Sequence, residues 1–163
     1  MTKDIQQPEN DIVKRFEEII AKHGLPSFEE LDKEFEIGTV EMPCAFLSRA
    51  IRMKIIERID SYAKFLDEFL YHPDNSYATM YELKAFTEAD REKLFDLFGK
   101  LMLVDRINME LNLELSEEKD IEFIKRVFHS WAEMKKDLLE MARKMRKVWE
   151  TDRKDDEIIS YFG

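Results

Sequence analysis

Apolar residues recur along this chain at helical spacing, and in one stretch they exceed a single stripe. Between Leu94 and Leu115, the residues Leu94, Leu97, Leu101, Val104 and Leu111 make one row. Phe95, Phe98, Met102 and Met109 make a second, and Leu103, Ile107 and Leu115 a third. A helix that is apolar on nearly every side is a buried one, so the pattern predicts a central helix near 88–114 that other helices wrap. One polar line runs down it: Asp105, Asn108 and Asn112 are three and four residues apart and therefore share a face.

Two further long helices flank this one in the sequence. The row Leu47, Ile51, Ile55, Ile59, Tyr62, Leu66 and Phe69 has bundle spacing and predicts a helix over about 44–70, begun by Pro43 and stopped by His72-Pro73-Asp74-Asn75. Ser116 caps a helix over 117–150. Its first turn carries Glu117, Glu118 and Asp120 and its end carries Arg143, Lys144, Arg146 and Lys147, matching the helix macrodipole. The short connection between the second and third long helices makes them antiparallel neighbours. Ahead of all three, Asp11 precedes a short helix Ile12–Lys22, and Ser27 with Glu30 forms a capping box for another, Phe28–Phe35. Ile37–Val40 reads as extended, and Ser76–Phe86 as a short helix in front of the Thr87/Asp90 start of the central one. The fold class is all-α: a compact helical bundle of three long helices plus short N-terminal helices around a buried central helix (about 88–114). The organisation is a single helical domain, 1–150, with an N-terminal cap (1–42), a bundle (43–150) and a short tail (151–163).

Composition agrees with that class: 44% hydrophobic and 38% charged residues with only four Gly and four Pro leave little material for turns. The net charge of -10 is concentrated at the front, where residues 1–42 carry five basic and eleven acidic groups. Such a charge disfavours nonspecific attraction to nucleic acid or anionic lipid. No uncharged apolar run reaches membrane-spanning or signal-peptide length, and one cysteine, Cys44, makes no internal disulfide; both point to a cytoplasmic protein with no membrane partner.

Candidate chemistry is sparse. The line Asp105, Asn108 and Asn112, with Arg52 (or Arg49) supplying the opposite charge, is the candidate ligand pocket; the alternative is a buried network that fixes helix register. None of His23, His72 and His129 has Glu three residues before it, which removes the di-iron carboxylate class. No glycine loop suits a phosphate and no ligand set suits zinc, so neither a metal nor a cofactor is assigned, and no catalytic residue is named. Glu29-Glu30 followed by Glu57 and Asp60 resembles the EE then ExxD arrangement of the MazG-like nucleotide pyrophosphohydrolases, which implies magnesium held between helices. The resemblance departs from that family in lacking a third glutamate at the right spacing, and in placing Glu57 and Asp60 opposite Ile55, Ile59 and Tyr62. A basic face over 44–58, with Arg49, Arg52, Lys54 and Arg58, is the nucleic-acid alternative, and its helix runs too long for a recognition helix.

Two features point to protein partners. The Met134, Met141 and Met145 row ends at Trp149, and the chain closes on Ile158, Ile159, Tyr161 and Phe162, apolar residues at a terminus. These five, Trp149 to Phe162, form the candidate interaction surface. The expected function is a non-enzymatic interaction or regulatory domain that self-associates as a homo-oligomer, a homodimer in the simplest case. A small-molecule-binding or nucleotide-hydrolysing bundle is the alternative.

Overall fold

The computed structural model describes residues 7–41 and 44–152, and among them it is an all-α helical bundle without strands. The described residues form six helices: α1 (Gln7–His23), α2 (Phe28–Phe35), α3 (Leu47–Tyr71), α4 (Tyr77–Leu83), α5 (Glu88–Glu114) and α6 (Glu117–Asp152). No helix of the described residues is long and apolar enough to cross a membrane.

Local chemistry explains most boundaries. Ser27 accepts from the Glu30 N–H at 3.2 Å while Glu30 accepts from the Ser27 N–H at 2.9 Å, the reciprocal pair that starts α2. The Ser27 N–H, and after it the Ser27 hydroxyl, donate to the Glu30 carboxylate and hold that carboxyl below its ordinary value. Ile37–Thr39 is a 3₁₀ turn and not the extended segment that its composition suggests. The reason lies in α2: Glu36 closes it in the left-handed region (φ 54°), and the Asp32 carboxylate takes the Gly38 N–H at 2.7 Å, curling the chain back. α3 begins at Leu47, three residues later than the position of Pro43 suggests.

Chain contacts divide the protein into two units. Among the described residues, one comprises those up to Ser61 together with Met102–Trp131; the other comprises Tyr62–Leu101 and those from Ala132 onward. In the first unit Phe16, Leu31, Phe35, Ile51, Ile55, Ile59 and Ile124 are fully or almost fully buried. Phe35 packs on Trp131 with ring centroids 5.3 Å apart, and the Trp131 indole N–H donates to Glu34 at 2.7 Å, which fastens α2 to α6. In the second unit the core is Leu66, Phe69, Phe86, Leu94, Leu97, Leu101 and Met134, with Phe69 and Phe86 edge to face at 5.2 Å.

The burial of α5 corrects one expectation. Its first row, Leu94, Leu97, Leu101, Val104 and Leu111, is buried in whichever unit each residue belongs to. The other two rows are not enclosed: Phe95, Leu103, Ile107, Met109 and Leu115 are exposed. Phe98 and Met102 are half-buried, and Phe95 and Phe98 meet the Tyr71 ring at 5.4 and 5.5 Å, so these rows are packed in part and face solvent in part.

The start of α5 carries the clearest electrostatic feature of the second unit. Thr87 and Asp90 cap the helix reciprocally, the Thr87 N–H donating to Asp90 at 2.7 Å and the Asp90 N–H to Thr87 Oγ1 at 3.2 Å, and the Lys144 ammonium closes on the same carboxylate. The hydrogen bond from Lys144, then those from Thr87, bring the Asp90 carboxyl down to about 2. Nearby, hydrogen bonds to Asp137 and Glu140 hold the Lys93 ammonium above its ordinary value. Because the folded carboxyl of Asp90 binds its proton less readily than the unfolded one, its stabilising effect is complete above about pH 4 and is lost as pH falls toward 2. Thermal melts of Asp90→Asn followed by circular dichroism are therefore expected to show lower stability at neutral pH and a flatter decline than the parent between pH 4 and 2. Parallel declines in the two proteins would remove Asp90 from this role.

Candidate functional site

Arg52 follows Ile51 on α3, one position round from the apolar row, and its side chain is 0% exposed. A guanidinium cannot lose its charge at any ordinary pH and carries five N–H donors, so burying it demands acceptors from the protein itself. Two helices supply them, α5 and α6, from residues in the first unit. Nε donates to Asp120 Oδ1 on α6 at 2.7 Å, Nη2 donates to Asn112 Oδ1 on α5 at 2.8 Å, and Nη1 donates to Asn108 Oδ1 on α5. Nη1 also lies 3.9 Å from the Met53 sulfur. Asp120 and Asn108 are buried in turn. The Asp120 carboxylate stands in the first turn of α6, where the positive end of the helix dipole favours a negative charge.

Three of the four residues of the sequence-derived pocket thus meet: Arg52, Asn108 and Asn112. Asp105 does not join them; it pairs with its neighbour Arg106 at 2.8 Å near the surface. It shares a face with Asn112, but the guanidinium reaches α5 at Asn108 and the turn after it, one turn beyond Asp105. The carboxylate that the buried charge requires comes from Asp120, whose place in the first turn of its helix marks it in the sequence as a dipole complement. A signal for it was present: Asp120, Ile124, Val127 and Trp131 are spaced by four, three and four residues, so this acid sits on the apolar face of its helix.

Nε, Nη1 and Nη2 of Arg52 are each directed at a protein oxygen, so the residue clamps α3, α5 and α6. The other sequence-derived candidates are engaged elsewhere. Glu30 caps α2, and Glu57 pairs with Lys54 at 3.1 Å. Among the described residues no group of three or more His, Cys, Asp or Glu is placed to hold a metal ion. On the basic face of α3, Arg58 pairs with Glu36 at 3.0 Å and Arg49 lies over the Phe46 ring at 4.8 Å. Trp149 is docked within the second unit, donating to Glu82 at 2.6 Å and meeting Tyr81 at 5.1 Å. Ile158, Ile159, Tyr161 and Phe162 lie outside the described residues.

Comparison with protein-family models, with curated proteins and with solved structures finds no match to this chain.

A clamp of this kind has an asymmetric mutational signature. Asp120→Ala leaves a buried guanidinium without its counter-charge and is expected to cost about 3–5 kcal/mol, whereas Asp105→Asn should stay within about 0.5 kcal/mol. Urea unfolding of the two variants measures both; equal effects would show that Asp120 is not the partner on which Arg52 depends.

Proposed function

We propose that this chain is a non-enzymatic helical interaction domain that pairs with a second copy of itself through the outward side of α5. The observation that carries the reading is the apolar surplus on that helix: Leu103 is 62%, Met109 54% and Leu113 82% exposed, on an element whose opposite row lies in the core. Large aliphatic side chains in water favour association whenever a complementary surface is available. A second copy supplies one. Antiparallel pairing of two α5 helices about a twofold axis midway between Leu103 and Ile107 sets Leu103 against Ile107 of the other copy and Lys100 against its Glu110, an isologous contact matched in both apolarity and charge.

The apolar C-terminal residues Ile158, Ile159, Tyr161 and Phe162 form the second element of the proposed contact. The reading assigns the polar cluster around Arg52 to structure and the solvent-facing apolar residues to recognition. It places no substrate in the chain.

Light scattering across protein concentration tests this on the full chain, on Leu103→Glu/Leu113→Glu, and on a chain ending at Asp156. The full chain is expected to reach dimer mass as concentration rises, and the double variant to stay monomeric with unchanged helicity, since both positions face solvent. A shift of the dimerisation midpoint by tenfold or more on truncation would assign the tail a share of the contact. A full chain that is monomeric throughout would overturn the proposal.

A further inference from the structure

Among the hydrogen bonds of Arg52, the weakest falls on a residue that reaches the surface. Nη1 donates both to Asn108 Oδ1 and to the thioether sulfur of Met53, the latter at 3.9 Å. A thioether is a poor acceptor. Here it faces a charged donor shut away from water, where a better acceptor gains most. Met53 itself is 43% exposed, so the side chain that meets the buried cation is also open to solutes.

A thioether open to water can be oxidised. A sulfur lone pair attacks one oxygen of hydrogen peroxide; the S–O bond forms, the O–O bond breaks, and sulfur gives up two electrons. The transferred oxygen passes its proton to the departing hydroxide, which leaves as water. Oxidation turns a flexible apolar side chain into a polar one, and inside a core that change disrupts packing. At Met53 the polar group instead arrives beside an N–H donor. Three rotatable bonds let the new oxygen turn toward the Nη1 that the sulfur already faces. A hydrogen bond from a cation to an oxygen is stronger than one to a thioether. We propose that Met53 is a modification site, at which peroxide oxidation to the sulfoxide gives the Arg52 guanidinium a further oxygen acceptor and tightens its clamp.

Limited oxidation of the full chain with hydrogen peroxide, read by peptide mass mapping, tests whether the site is reachable. Met53 is expected to oxidise at least tenfold faster than the buried Met134 and Met141. A smaller advantage over that pair would overturn the site. The effect on the clamp is tested with Met80→Leu/Met109→Leu, which removes two other exposed methionines, and with the same chain carrying Met53→Leu as well. The remaining methionines are common to both chains, so any difference between them belongs to Met53. Peroxide should raise the urea midpoint of the first chain, relative to the change in the second, by about 0.3–1 M. In NMR spectra of the arginine side-chain N–H groups, the Arg52 Nη signals should move on oxidation of the first chain and stay in place in the second. A relative midpoint that falls or stays level, or Arg52 signals that do not move, would overturn the tightening.

Discussion

A guanidinium removed from water is the constraint on which the first unit rests. Arg52 carries a charge it cannot shed, so every element around it must offer oxygen in the right direction. α6 offers a carboxylate from its first turn, and α5 offers two amide oxygens one turn apart. Three helices are thereby fixed in register with one another by directional bonds, where apolar packing alone would tolerate sliding. A hydrophobic residue of similar volume could fill the space, and replacements of that kind are often at least as stable; what the charge adds is that wrong registers leave it unpaired.

That constraint commits four polar residues to folding. Arg52, Asn108, Asn112 and Asp120 are consumed by one another. The exposed apolar residues Leu103, Met109 and Leu113 of α5 take no part in that cluster.

Much of the architecture was legible because it is written in short-range chemistry. Ser27 with Glu30, Thr87 with Asp90, and Ser116 each set a helix start that a reader of the chain can find, and the apolar rows of α3 and α6 set their lengths to within a few residues. The parts that escaped depend on distant residues. The 3₁₀ turn at Ile37–Thr39 follows from an Asp32 side chain six residues before the Gly38 it binds. Three of the four members of the polar cluster could be named from spacing, but choosing Asp120 over Asp105 required knowing which acid the arginine meets across helices. The three apolar rows of α5 look alike in sequence, and only the packing reveals that one is core and two are not.

The connection between α5 and α6 consists of Leu115 and Ser116 alone, with Leu115 in the left-handed region at φ 53°. Through that tight reversal Asn108, Asn112 and Asp120 come within reach of one another over a few turns of chain, whereas Arg52 is separated from them by 56 to 68 residues. Closing the short loop costs little conformational entropy compared with closing the long one. The oxygen-lined half of the clamp is therefore the half that local chain closure assembles, and the arrival of α3, which alone must strip water from a cation, becomes the step at which the topology of this unit is committed.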